Sequence, residues 1–217
     1  MIFLNFIIKH APIILLASIN SIIIAFGSFF LGFILSILIS SAQYFNNFFI
    51  NKFIKIYLLI IQGTPMMAQI VFWYYFLPSI GIQISSIFIA IIAIGINSGA
   101  YLSQVIQSGI LAIDKEQIDS AKVFGFNNMQ IIRYIIFPQA INIIFPSLIN
   151  EVITLMKDSS LASTIGVIEI YKESRSIINQ TYDVLSTFIL LSIIYIIFTF
   201  LILKIGNILH RKFNYYD

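Results

Sequence analysis

Two carboxylates, Glu151 and Asp158, stand in a stretch otherwise apolar enough to cross a bilayer. A carboxylate at that depth costs roughly 2.5–3.5 kcal/mol on insertion scales, so it is normally paired or functional. A spacing of seven residues is close to two helical turns, which sets both on one face if the helix continues. Facing a water-accessible cavity, such a pair would attract an ammonium or guanidinium group. The sequence leaves a structural alternative open: Glu151 bonded to backbone donors, and Asp158 capping a helix that starts at Ser159. Asn150 places an amide beside the first acid. Upstream, Gly63-Thr64-Pro65 interrupts another apolar run, and the proline removes a backbone donor and distorts the helix. Broken helices at membrane depth persist where the freed groups line a cavity or find partners in neighbours. Thr64 is therefore expected on the wall of a pathway or in a packed kink.

Other chemistries have no residues to carry them. The chain holds no cysteine, so it has no thiolate nucleophile, disulfide or thiolate metal site. His10 has no second histidine nearby and reads as interfacial, and no metal site, cofactor or catalytic residue is expected. No G-x-x-x-x-G-K-[ST] string occurs, so ATP-driven work has to come from another subunit.

The elements that must hold these residues are membrane spans. Of 217 residues, 59% are hydrophobic and 10% charged, against about 25% charged in an ordinary soluble domain. Such a chain is an integral membrane protein. The reading is all-α, a single transmembrane domain over residues 1–217. Five spans are expected at about 12–40, 56–77, 84–106, 138–156 and 184–203. Residues 1–11 are placed at the interface, without a cleavable leader, so the first span stays as an anchor. Ser28, Gly32, Ser36 and Ser40 form a small-residue stripe suited to close helix approach. Gly95 and Gly99 form a G-x-x-x-G face for a dimer contact or for packing on the fourth span. Residues 157–183 read as a gate-region helix followed by an external loop. With the N-terminus outside, Lys52, Lys55, Lys115, Lys122, Arg133, Lys204, Arg211 and Lys212 lie inside, against Lys9, Lys172 and Arg175 outside. That imbalance sets the orientation and leaves the C-terminus cytoplasmic. The small net charge of +3 suits this rule better than nucleic-acid binding.

The polar segment 107–137 then faces the cytoplasm. Asp114 can cap a helix, with Gln117 at the capping-box position. Lys115, Glu116, Gln117, Ile118, Asp119, Ala121 and Phe124 follow, and Gly125 supplies the left-handed turn that ends a helix. Asn127 or Asn128 can cap the next. Ile118, Ala121 and Phe124 share one face. The result is a rigid knob of two to three turns whose apolar ridge fits a groove on another protein.

Gly109 to Gly125, followed by Pro138-Gln139-Ala140, Pro146, Asn150 and Lys157-Asp158-Ser159-Ser160-Leu161, resembles the EAA signature of ABC importer permeases. Gly63-Thr64-Pro65 with Gln69, Tyr74-Tyr75 and Leu77-Pro78 is similar to the second-helix motif of the branch that imports polar amino acids. The likeness covers residues 60–170. It implies the type I importer permease fold in a bacterial cytoplasmic membrane. It implies partners too: two copies of an ATP-binding subunit docked on residues 115–125, a second permease subunit, identical or not, and an extracytoplasmic solute-binding protein. Glu151, Asp158, Asn150, Thr64 and Gln69 would line the path of a glutamine-type or basic amino acid. Alternatives are a proton-coupled secondary transporter, disfavoured by the odd span count and lack of a repeat, and a non-transporting scaffold. This chain departs from the pattern at Gln62, Gln104 and Gln107, where charged residues are usual. Glu116 stands for the usual Gly, and Asp119-Ser120-Ala121 for Glu-Ala-Ala. Gln104 and Gln107 are expected to hydrogen-bond each other.

Overall fold

The structure is a computed structural model that describes residues 2–44 and 47–213. All the regular elements among the described residues are helices. Helix α1 (Ile2–Tyr44) runs unbroken through Pro12, so the separate interfacial segment expected before residue 12 merges into the first span. A break there would leave backbone groups without partners in lipid, which favours one continuous helix.

Helix α1 makes its most extensive contact with α4 (Ser86–Leu111). Small residues on both helices explain the closeness. Ser28, Ser36 and Ser40 are buried, and the Ser28 and Ser40 hydroxyls donate across to the carbonyls of Ile91 (3.4 Å) and Ser103 (3.2 Å). A Cβ on Gly32 would stand 2.9 Å from Ser98 Cβ. Gly95 and Gly99 face Leu31 and Leu35, so the G-x-x-x-G face is spent on the first span rather than on a dimer or on the fourth span.

Helices α2 (Phe48–Gly63) and α3 (Met66–Ser79) are bent by 107° at Thr64-Pro65. The polar segment carries α5 (Lys115–Val123) and the short α6 (Asn128–Ile131). A π-helical turn (Ile132–Ile136) leads into α7 (Phe137–Asp158), and a 3-10 turn (Ser159–Ile165) continues it. Helix α8 (Ile170–Thr181) occupies most of the stretch expected to be an external loop. Its Ile170, Ser174 and Ile177 are buried at i, i+4 and i+7, a one-faced pattern that secures a helix on the core. Helix α9 (Val184–Phe213) closes the chain. Among the described residues, four helices are long and apolar enough to cross a membrane, five if the bent pair counts as one span. The core draws Ile14 and Ile24 of α1, Ile70 of α3, Ile94 of α4, Leu155 of α7 and Ile170 of α8 together.

Candidate functional site

The bend at Thr64-Pro65 opens a cavity of about 290 Å³. Thr64 and Met66 line it from the break, Asn97, Ser98 and Tyr101 from α4, and Glu151, Thr154, Leu155 and Asp158 from α7. The continuous α7 carries both acids into this one space. The Ser98 hydroxyl donates to Glu151 Oε1 at 2.6 Å. Asp158 makes no side-chain cap for the turn after it, so its carboxylate is left to the cavity. Both acids keep acceptor capacity there, in a space lined otherwise by hydroxyls, an amide, a phenol and the apolar Met66 and Leu155. A cation with several N–H donors matches that lining.

Gln69 has a different place. It is 8% exposed and braces the break. Its Nε2 donates to the carbonyls of Ile61 (2.8 Å) and Thr64 (3.1 Å) and to Thr64 Oγ1 (2.8 Å). Its Oε1 accepts from Asn97 Nδ2 at 3.1 Å. The carbonyls freed by Pro65 are thus re-satisfied by a side chain. Gln69 was expected on the pathway itself; it sits behind the wall and does not line the cavity. Asn150 is exposed and also outside the lining, because one residue along a helix turns the side chain by roughly 100° away from Glu151. Asn97, Ser98 and Tyr101 were not singled out as pathway residues. Their signal was polar side chains one and four residues apart inside a span, facing the break.

In the polar segment, Asp114 caps α5 by accepting from Glu116 N at 3.0 Å, and Gly125 takes φ +84°. The full capping box lies one helix later, where Asn127 and Gln130 exchange bonds of 2.9 Å. Gln117 instead accepts from Gln139 Nε2 at 2.8 Å, tying α5 to the first turn of α7. The expected ridge is divided. Ala121 is buried and Ile118 half-buried on a small core with Ile113, Ile131 and Ile136, since a short helix must anchor one face to hold its position. Phe124 alone of the three projects, 82% exposed, and Val123 and Met129 are exposed as well. Lys115, Glu116 and Asp119 are exposed around it, and Asp119 pairs with Lys122 at 3.0 Å. Gln104 donates to Gln62 across α2 and α4 at 3.3 Å, not to Gln107. Helix packing brings Gln62 opposite, so two uncharged residues keep a cross-helix bond without an unpaired ion.

Beyond the end of α7, Glu169 is fully buried. Its carboxylate accepts from the backbone N–H of Tyr171 (2.8 Å) and Lys172 (2.7 Å), capping α8. Burial pushes its pKa up to about 7, against the lowering effect of those two bonds and of Lys172. Ser21 Oγ accepts from Ile170 N (3.3 Å) and Asn20 Nδ2 donates to Ile168 O (2.7 Å), which fastens this corner to α1.

Comparison with known proteins agrees with this layout. A sequence model of the binding-protein-dependent transport system inner membrane component matches residues 32–215. A Rickettsia typhi protein that bears the name of a glutamine transport system permease is 34% identical over 183 residues, covering 84% of each chain. The arginine transport system permease protein of Bacillus subtilis is 33% identical over 162 residues, 74% of each chain. A crystal structure described as an amino acid ABC transporter with histidines superposes with a TM-score of 0.87 at 28% identity, covering 97% of this chain and 98% of that one. This chain belongs to the inner membrane component family of binding-protein-dependent transport systems.

Proposed function

We propose that this chain is the permease subunit of an ATP-driven importer for polar L-amino acids, glutamine-type or basic. The observation that carries the reading is the cavity at the broken span, where Glu151 and Asp158 both face one 290 Å³ space. An amino acid presents an ammonium group whatever its side chain, and a basic one presents a second cation. The relatives named for glutamine and arginine transport support the same substrate class.

The chain makes and breaks no bonds in this reading. An extracytoplasmic binding protein delivers the amino acid, and a second permease subunit, identical or not, completes the pathway. Two ATP-binding subunits dock on residues 115–125, with Phe124 seated in their grooves. Their closure on ATP would pull α5, and Gln117–Gln139 passes that pull to α7, which holds the acids. Affinity then differs between two states, which is what nucleotide can bias. The charge imbalance supports an N-terminus outside and a C-terminus and α5 in the cytoplasm.

The deciding experiment is uptake into vesicles carrying the permease with and without its ATP-binding subunit. ATP-dependent uptake of arginine, histidine or glutamine, lost without that subunit, is expected, and competition among the three ranks the substrates. Uptake driven by a proton gradient without the subunit would establish secondary transport instead. No uptake under either condition would leave a scaffold.

A further inference from the structure

We propose that a second cavity, between α3, the 159–165 turn and α8, binds the carboxylate of the incoming amino acid before the molecule moves to the acidic cavity. The proposal rests on the transport reading above. This cavity measures about 640 Å³, and Met67, Ser160, Ser163, Thr164, Lys172 and Arg175 are among the residues that line it. That size lies in the usual range for small-molecule sites, about 300–1,000 Å³.

Its charge is opposite to that of its neighbour. Lys172 and Arg175 are three residues apart on the exposed face of α8, and helical spacing puts them side by side. Neither forms an ion pair among the described residues, where Lys122–Asp119 is the pair within 4.0 Å. Glu173 stands between them in sequence but does not line the cavity. Glu169 is buried, its oxygens taken by the N–H groups of Tyr171 and Lys172, although its charge is felt by Lys172. The guanidinium fork of Arg175 suits a carboxylate in two-bond geometry. Ser176 also lines the space and accepts from Gln180 at 3.4 Å, which leaves its own proton free to donate.

The two cavities have no lining residue in common, but neighbouring residues of the same stretches line them. Met66 lines the acidic one and Met67 the basic one; Asp158 lines the first and Ser160 the second. A zwitterion held by its carboxylate at Lys172 and Arg175 would point its ammonium group toward Asp158. Two cavities of opposite sign on either side of one turn select for molecules that carry both charges.

A carboxylate could also come from a side chain of a docked binding protein, and the test separates the sources. The intact transporter complex in nanodiscs, without binding protein, is titrated with arginine and with agmatine, its decarboxylated analogue, and with glutamine and its decarboxylated amine. Arg175→Gln and Lys172→Gln are each expected to weaken the amino acids about tenfold, or 1.4 kcal/mol, and to leave the amines unchanged. Equal losses for acid and amine, no loss in either variant, or no amino-acid binding to the wild-type complex would overturn the proposal. Weakened binding-protein association with unchanged amino-acid affinity would assign the cavity to protein docking and overturn it too. Failure of the transport reading would show separately, as absent ATP-driven uptake by the wild-type vesicles.

Discussion

Towards the far end of α7, Glu151 and Asp158 are carboxylates carried by a mostly apolar span; before its near end, Phe124 and Met129 stand 82% and 71% exposed in a polar segment. Both places invert the usual distribution of polar and apolar side chains, but the chain handles them differently. Around the acids it supplies partners of its own: Ser98 on Glu151, and Gln69 and Asn97 on the broken backbone. Around Phe124 it supplies none; the adjoining core takes Ile118 and Ala121 and leaves the ring outside. A polar group in lipid has to be satisfied locally or it costs several kcal/mol. An exposed ring costs little in water and gains only when something covers it. The broken span therefore meets its own polar needs within the chain, whereas the ring of Phe124 stays uncovered. Helix α7, 22 residues and thus about 33 Å long, separates them.

Four experiments sharpen or break that contrast. Phe124→Asp should abolish capture of the ATP-binding subunit while membrane insertion and helix content stay normal; full capture would show that the exposed ring is not half of an interface. Glu151→Gln should cut arginine uptake by about tenfold to a hundredfold, the worth of a charged hydrogen bond, and glutamine uptake much less. Equal losses would reduce Glu151 to a partner of Ser98. Gln69→Ala should lower the unfolding free energy of the purified subunit by about 1–3 kcal/mol, because buried carbonyls and the Asn97 amide lose a partner. An unchanged melting temperature would mean the broken backbone does not depend on its brace.

The smallest effect is expected at Glu169. Its folded pKa, about 7, lies above the ordinary carboxylate value near 4.3. A raised carboxyl pKa means that stability is fully present below the unfolded value and is lost as pH rises through the folded one. Melting temperature should therefore fall between roughly pH 4.3 and 7, and Glu169→Gln should flatten that slope. A slope that steepens, or that survives the substitution, would contradict the buried-acid account.

Local grammar carried much of this molecule. Asp114 and Gly125 bound α5 because capping and a left-handed turn are decided within four or five residues. Gly63-Thr64-Pro65 reads as an interruption because a glycine and a proline fall together there; single prolines did not break α1 at Pro12 or α7 at Pro146. Whatever depends on which surface faces which was hidden. Gln117 reads as a capping-box residue yet bonds Gln139, and Gln104 meets Gln62 rather than Gln107. The loop expected after residue 170 became α8 because its buried face had a core to rest on.

Composition and spacing alone determined that this chain crosses a membrane, that its second span is broken, and that two acids share a helix face. Those properties follow from hydrophobic run length and from the fixed 3.6-residue turn. Only the tertiary structure decided that the break opens against those acids, that Gln69 stands behind the wall and Asn150 outside it, and that Lys172 and Arg175 line a cavity of their own. Such relations join residues far apart in the chain, and helix packing, not sequence distance, brings them into contact.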